Sequence, residues 1–393
     1  MKTKIRVTFI FLLIAATAGL LLRLIQSGTP LYNYKYLVHT HSHIALLGWL
    51  YNASLIILQY TLFKESKGVF NKVFWLSQIT FVGMLFSFPF EGYGLYSITF
   101  STLYLFCSYY LVYLLFKKSK ESLTYYAAKF TRWGGIYLVL SSIGPFALGF
   151  IMAKGLQDTF WYKLSIYWFL HFLYNGFFMF IVFAFLAKRI NNVLRLKKIF
   201  SYMNLSVIPL YALSILWLEP NLLFYIIAIV ASLLQLFAFV LLLKCKSMRL
   251  SWLNRISQKL LIFVVAAYAL KIIFQVLASF KFSQTFLMDT SSYSIIGFVH
   301  LVMLGIFTLF FIAVFIEEKY IVETKFLISG IAILIAGIIL SEFLLFSQSI
   351  MIYQFKSSII NYNDILFWVS LLMPIGIALL LVGVLKRDNS IQA

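Results

Sequence analysis

The sequence predicts an all-α membrane protein in which a single domain, residues 1–393, crosses the bilayer about twelve times. Hydrophobic residues make up 63% of the chain and charged residues only 11%, a more apolar composition than a soluble protein of this length tolerates. The apolar residues are also grouped into runs long enough to cross a hydrocarbon layer of roughly 30 Å. Only short polar segments separate these runs, so no sizeable soluble domain is expected.

The apolar runs follow one another along the whole chain, and each is expected to form one membrane-spanning helix. An α-helix needs about 20 residues to cross the bilayer, and most of the runs have this length. They lie at residues about 5–24, 37–62, 73–91, 94–116, 133–153, 162–187, 199–218, 220–243, 259–280, 292–316, 325–347 and 364–385.

Lysine and arginine residues are concentrated in alternate loops, on the same side of the predicted bundle as the N-terminus. By the positive-inside rule this side faces the cytoplasm, so both termini are expected there, at the inner membrane of a bacterial cell. The net charge of +20 is therefore attributed to orienting loops beside membrane lipid, and nucleic acid is not expected as a partner. The basic loop residues are Lys64, Lys67, Lys72, Lys117, Lys118, Lys120, Lys129, Arg132, Lys188, Arg189, Arg195, Lys197, Lys198, Lys244, Lys246, Arg249, Arg255 and Lys259.

All five histidines lie in apolar runs, which points to a site because an ionisable group in hydrocarbon costs about 2 kcal/mol or more. The second, sixth and tenth spans all run inward, and each has a histidine roughly 6 to 9 residues past its outer end. At a rise of about 1.5 Å per residue, these three histidines share one layer about 10 Å below the outer surface. They are His43, His171 and His300.

The second span has two further histidines, His39 and His41. Helical spacing places His39 and His43 on one face and His41 on roughly the opposite face. The interval from His43 to Gly48 recurs from His300 to Gly305, and a glycine there leaves room for a flat macrocycle or for a close helix neighbour. Two histidines at one depth on separate helices are the parts of a bis-imidazole heme site.

Three short segments resemble motifs of subunit I of the heme-copper oxidases, the respiratory oxygen and nitric oxide reductases, most closely those of the C-type oxygen reductases. The resemblance covers the whole twelve-span plan and implies a bundle like that of this subunit. It also implies b-type heme, electron transport in respiration, and contact with other respiratory-chain subunits or quinol. It places His171 at a copper-binding position, which makes that residue a metal-ligand candidate. The segments are Leu37–Thr40 with Gly48, Trp168–Phe178, and Gly297–His300 with Leu304 and Gly305.

The sequence also departs from that family at three places. Phe298 stands where the family has the histidine of its high-spin heme, and residues 199–209 of the seventh span lack the two adjacent copper-binding histidines. Residues 341–356 contain no arginine pair for heme propionates. Copper held by three imidazoles is therefore not expected. The low-spin heme position remains, with His300 as one ligand.

The second heme ligand is expected to be either His39 or His43. The family spacing to Gly48 favours His39, whereas the symmetry with His300 and Gly305 favours His43. The other histidine of this pair could then bond to a propionate. His41 faces elsewhere and could serve a second cofactor together with His171, or it could simply be hydrated near the headgroups. His171 could alternatively belong to a hydrogen-bonded cluster between helices.

The leading functional hypothesis is a membrane hemoprotein that transfers electrons, or senses gas or redox state, through one low-spin b-type heme. One alternative is an enzyme, a respiratory oxidoreductase whose nonstandard active site uses His171 and His41. Another is a permease coupled to protons or metal ions. Lys271 and Glu342 lie at similar depths in the ninth and eleventh spans, so an ion pair between them is a further expectation.

Overall fold

The computed structural model describes residues 1–29, 32–245 and 253–386, and it confirms the predicted all-helical class with twelve helices that are long and apolar enough to cross a membrane. Lys246 and Arg249, two of the predicted orienting residues, lie outside the described residues. The twelve helices are numbered here as spans 1 to 12. Their bounds are Lys2–Gln26, Tyr34–Leu62, Lys64–Glu91, Leu95–Ser119, Tyr125–Ala153, Phe160–Ala187, Val193–Leu218, Leu222–Leu243, Arg255–Ala278, Tyr293–Glu317, Lys325–Phe355 and Tyr362–Leu385.

Spans 2, 6 and 10 form the centre of the bundle. In the most apolar stretch of these spans 89%, 83% and 83% of residues are buried, whereas the other nine spans reach only 33% to 50%. Aromatic side chains join the three inner spans to one another. The ring centres of Tyr51 and Phe177 lie 6.0 Å apart, and those of Phe178 and Phe307 lie 5.6 Å apart. The predicted histidine-bearing spans are therefore the three that are shielded most from lipid.

The packing of the spans repeats every four helices. Spans 3 and 4, 7 and 8, and 11 and 12 pack along each other as pairs. Spans 1, 5 and 9 each cover the inner span that follows them in sequence, and contacts of span 4 with span 5, span 8 with span 9, and span 12 with span 1 close the ring. Each four-helix unit thus contributes one inner span, which explains why histidines occur on every fourth helix.

Each inner span changes from α-helix to π-helix directly after a histidine. The π-helical stretches are Ile44–Tyr51 after His43, Phe172–Phe178 after His171, and Leu301–Thr308 after His300. In a π-helix the backbone hydrogen bonds join residues five apart, one more than in an α-helix. Such helices are rare and often occur at functional sites. The repetition at three equivalent places marks the histidine layer as a structural boundary inside the bundle.

We call the face that carries Lys2 and the C-terminal end of span 12 the terminal face, and the opposite face the distal face. Spans 2, 6 and 10 begin at the distal face, so all five histidines lie in the distal half of the bundle. The terminal face is joined across the inner spans by polar contacts. There Arg189 pairs with Glu318, and the hydroxyl groups of Thr61 and Tyr320 lie 2.8 Å apart.

Candidate functional site

His41 and His300 face each other across the contact between spans 2 and 10. The centres of their rings are 6.4 Å apart and the ring planes are perpendicular, at 89°. Both rings are half-buried, although they lie inside the bundle and not on its outer surface. Within the part of the chain that the structure describes, the His300 ring makes no hydrogen bond. These two imidazoles are the side chains that we place at the centre of the candidate site.

The backbone of span 1 fixes the orientation of His41. Its Nδ1 atom lies 2.8 Å from the carbonyl oxygen of Ala15. A carbonyl oxygen only accepts hydrogen bonds, so Nδ1 of the neutral ring carries the proton and Nε2 keeps its lone pair. Histidines that bind metals almost always donate their other ring N–H to a carbonyl or carboxylate in this way. His41 is therefore prepared to bind a metal through Nε2.

Gly19 makes room for the ring of His41 against span 1. A Cβ atom added at this position would lie 2.9 Å from Cε1 and 3.1 Å from Nδ1 of His41, closer than side chains normally approach. Sequence reasoning missed Gly19 and Ala15 because one small residue in an apolar run does not show which partner it approaches. The only available signal was that Gly19 is the sole glycine of span 1.

The structure corrects the expected partner of His300. His39 and His43 do share one helix face, as predicted, but that face is turned toward span 3. The ring of His43 stacks on Phe88 at 4.3 Å, and the ring of His39 packs on Tyr93 at 4.4 Å. His300 therefore faces His41 instead of either of them. Sequence spacing separated the two faces of span 2 correctly but could not say which face meets span 10.

The two glycines that follow the histidines serve close helix packing. A Cβ atom on Gly48 would lie 2.9 Å from the ring of Phe11 in span 1. One on Gly305 would lie 3.1 Å from Cβ of Ala267 in span 9. Of the two expectations, a macrocycle or a helix neighbour, the structure shows the second at both positions. The two glycines occupy equivalent places in two of the four-helix units.

His171 belongs to a hydrogen-bonded cluster between spans 6 and 7. Its Nε2 donates to the carbonyl oxygen of Val207 over 2.7 Å, and Nδ1 accepts from the amide of Asn175 over 3.3 Å. The Val207 carbonyl is available because the α-helix ends at Leu210, just after Pro209, and the N–H groups at this end bond to later carbonyls. The alternative prediction for His171, an interhelical cluster, is therefore the arrangement found.

The expected joint site of His171 and His41 is not formed, because His41 faces His300 and His171 bonds to span 7. No group of three or more His, Cys, Asp or Glu side chains that could hold a metal ion occurs among the described residues. Among the five histidines, a metal between two facing imidazoles is thus supported only at His41 and His300.

The expected ion pair of Lys271 and Glu342 is wrong. The Nζ atom of Lys271 donates to the side-chain oxygens of Gln235 and Gln275, at 3.0 and 3.1 Å. Two neutral amides from spans 8 and 9 thus satisfy the buried ammonium group, where the sequence pattern suggested a carboxylate.

Glu342 instead lies near the candidate site, beside Gly297 and within electrostatic range of Arg23. Arg23, from span 1, also interacts electrostatically with His300. A cation and a carboxyl group therefore flank the site on its distal side. Sequence analysis missed Arg23, which stands near the end of an apolar run where cations commonly reach toward the headgroups.

Compared with known proteins, the chain matches no family model and no curated protein. The resemblance to heme-copper oxidase subunit I therefore stays a prediction, and the function has to be argued from the geometry of the site.

Proposed function

We propose that the protein is a membrane hemoprotein that transfers electrons through one b-type heme, with His41 and His300 as the axial ligands. The observation that carries this proposal is the facing, perpendicular arrangement of the two rings at 6.4 Å. A bond of about 2 Å from each nitrogen to a metal, plus roughly 1 Å from each nitrogen to its ring centre, separates two axial imidazole centres by about 6 Å. The observed separation agrees with this value.

The surrounding residues support the same assignment. Ala15 keeps the Nε2 lone pair of His41 available, and Gly19 allows the ring to approach span 1. Arg23 supplies a cation on the distal side, where the carboxylates of a heme would need one. When bound, heme supplies one-electron chemistry, and its potential is tuned by the axial ligands and the burial of the site.

Two imidazole ligands favour electron transfer over gas chemistry. If His41 and His300 both bind the iron, no axial position remains open for oxygen or nitric oxide. His171, the other candidate ligand, is held by hydrogen bonds to Val207 and Asn175. The site is therefore better suited to passing electrons than to reducing a gas.

We further propose that the terminal face is cytoplasmic, as the basic loops indicate, and that the protein resides in a bacterial inner membrane. Lys64, Lys188 and Arg189 lie near each other at this face. The candidate site is then near the outer surface, where quinol or another respiratory-chain subunit could exchange electrons with it. Membrane lipid surrounds the nine outer spans.

Heme analysis of the purified protein tests the proposal directly. We expect one b-type heme per chain and a reduced-minus-oxidised spectrum of the low-spin type. The variants His41→Ala and His300→Ala should lose this spectrum. His39→Ala and His43→Ala are matched controls, because they remove the same side chain from the same helix, and they should keep it.

Three outcomes would contradict the proposal: purified protein without heme, a low-spin spectrum that persists in His41→Ala, or a spectrum lost only in His39→Ala. Addition of carbon monoxide distinguishes the enzymatic alternative. A spectrum that shifts with carbon monoxide indicates an open axial position and would favour a gas-reducing enzyme over electron transfer.

A further inference from the structure

We propose that Glu342 is a proton-exchange site inside the bundle, reached by water from the distal face. Glu342 lies in the middle of span 11 and is only 8% exposed. Among the described residues it is the one acidic side chain more than two helical turns from the end of its span. Such a group in a membrane protein is costly to keep and is commonly functional.

The carboxyl group lacks the hydrogen bonds that a permanently ionised form would need. Neither Oε1 nor Oε2 has a hydrogen-bond partner among the described residues. An ionised carboxylate without donors is expensive to bury, so the group needs a proton, hydrogen-bonding water, or both. The nearby cation Arg23 favours the ionised form and makes exchange between the two forms feasible.

The proposed route from Glu342 toward the distal face passes Tyr362, which packs against the apolar side chains of Leu345 and Leu366. The hydroxyl of Tyr362 in span 12 is buried and also has no partner among the described residues. Tyr362 lies within electrostatic range of Arg23 and Glu342, and its ring contacts that of Tyr293 at 5.4 Å. Unpartnered polar groups that surround one region are the usual binding places of buried water.

This route opens into a polar cavity of about 320 Å³ at the distal ends of spans 1, 10, 11 and 12. Tyr293 and Tyr362 line the cavity, so the same two residues border both the cavity and the surroundings of Glu342. The Tyr362 side chain therefore borders both this cavity and the cluster that contains Leu345, which lies about one helical turn after Glu342. The remaining lining is also mainly polar and includes Gln26, Ser27, Asn363 and Asp364.

The titratable and charged groups near Glu342 come from the three spans around it. Span 1 contributes Arg23, span 10 contributes Tyr293, and span 12 contributes Tyr362. Arg23 is the one permanently charged member of this set. The exchange is a simple proton transfer in which a carboxylate oxygen of Glu342 takes a proton from cavity water and later returns it.

If the proposed heme is present, this proton site lies beside a redox centre. Addition of an electron there makes the surroundings more negative by one charge, which favours uptake of one proton by Glu342. This coupling rests on the proposed function, whereas the proton site itself does not. Two experiments therefore separate the two claims.

The first experiment is independent of heme. Hydrophobic carbodiimides modify protonated carboxyl groups in apolar surroundings, and mass spectrometry locates the modified residue. In oriented proteoliposomes with different pH on the two sides, we expect modification of Glu342 that falls as the pH at the distal face rises. Glu342→Gln should lose the modification, and the exposed Glu219 should remain unmodified.

Modification that follows the pH of the terminal side would overturn the proposed route. Modification that is absent, or the same at every pH, would overturn the exchange site itself. Tyr362→Phe removes only the hydroxyl and should slow the modification of Glu342 at least several-fold, because the last polar step of the route is lost.

The second experiment measures the midpoint potential of the heme against pH. For one proton per electron the potential shifts by about 59 mV for each tenfold change in proton concentration. We expect a slope approaching this value in the wild type, a clearly smaller slope in Glu342→Gln, and an unchanged slope in Glu219→Gln.

Equal slopes in the wild type and Glu342→Gln, with heme bound in both, would overturn the coupling alone. Absence of heme would instead contradict the proposed function and leave the carbodiimide result to decide on the proton site.

Discussion

The terminal and distal halves of the bundle differ in how their buried polar groups are satisfied. In the terminal half, several polar side chains of the inner spans pair with neighbouring helices, although the hydroxyl of Tyr51 has no partner among the described residues. Nε1 of Trp49 donates to the Thr308 hydroxyl over 2.8 Å, and the side-chain amides of Asn52 and Gln78 bond to each other at 2.9 and 3.0 Å. Buried aromatic rings such as Phe307, with 0% exposure, fill the remaining space.

In the distal half, some polar groups are paired, such as His41 and His171, whereas others have no partner. The carboxyl of Glu342 in span 11 and the hydroxyl of Tyr362 in span 12 have no partner among the described residues. Buried polar groups cost free energy unless they are satisfied, so a fold retains them where another molecule or water completes them. Core and site therefore differ in whether their buried polar groups have partners, and not in how hydrophobic they are.

The largest expected effect on stability is in the terminal half. Phe307→Ala removes a ring that packs on Phe178 and Phe311 at 5.6 and 6.4 Å. A change of this kind in a packed core costs about 3–5 kcal/mol, because it combines lost contacts with a cavity. Thermal unfolding in detergent should show a clearly lowered midpoint, while the shape of the heme spectrum should stay unchanged in the folded fraction.

Phe86→Ala is the matched control for this prediction. Phe86 is 67% exposed on the outside of the bundle, so its loss leaves no internal cavity and should change the unfolding midpoint little. An equal loss of stability in both variants would show that the terminal half is not the packed core that the comparison requires.

The next effect concerns the affinity for the proposed heme. Gly19→Ala places a Cβ atom 2.9 Å from Cε1 of His41, so the ring must shift and its hydrogen bond to the carbonyl oxygen of Ala15 is disturbed. Disturbing a group that orients a metal ligand typically lowers affinity by about 10- to 100-fold. We expect this loss in heme titrations of the apoprotein, with little change in its thermal stability.

Gly149→Ala makes the same chemical change where no atom lies within 4 Å of the new Cβ, and it should bind heme like the wild type. Normal affinity in Gly19→Ala would mean that the contact between His41 and span 1 does not prepare the ligand.

A smaller effect is expected for one buried hydrogen bond of the terminal half. Thr308→Val keeps the shape of the side chain but leaves Nε1 of Trp49 without an acceptor. Hydrogen bonds inside membrane proteins contribute on average about 0.6 kcal/mol and at most about 1.7 kcal/mol. The unfolding midpoint should therefore fall by much less than in Phe307→Ala, and a larger fall would reveal a strained core.

The sequence predicted the parts of this comparison that depend on composition and periodicity. Twelve spans follow from the apolar runs, and the location of the histidines in the distal half of spans 2, 6 and 10 follows from their positions along those runs. The opposite faces of His41 and His43 follow from the helical repeat. Each of these features is a property of one helix at a time.

The features that sequence reasoning missed depend on how helices are rotated against one another. Which face of span 2 meets span 10 is decided by packing, as at Gly48 against Phe11, and spacing within one helix carries no information on it. The partner of Lys271 was missed because a glutamine carbonyl satisfies an ammonium group as a carboxylate does.

The smallest expected effect is a pH dependence of the protein's stability that arises at the terminal face. The pKa of Tyr320 is raised to about 12, chiefly by burial; the Thr61 hydroxyl opposes this shift, Glu318 contributes to it, and Arg189 opposes it. From about pH 9 upward the unfolded chain begins to lose this proton while the folded protein keeps it, so the stability falls as the pH rises. The difference amounts to about 0.4 kcal/mol at pH 10.

Tyr320→Phe should remove this part of the pH dependence, because it has no proton to lose, although it also loses the bond to Thr61. The measurement compares the unfolding midpoints of the two proteins between pH 8 and 10.5. The contributions of all other titratable groups cancel in the difference between these midpoints. The gap between wild type and variant should narrow as the pH rises. A constant gap would mean that Tyr320 reaches water, and that the polar groups of the terminal half are less enclosed than those of a core.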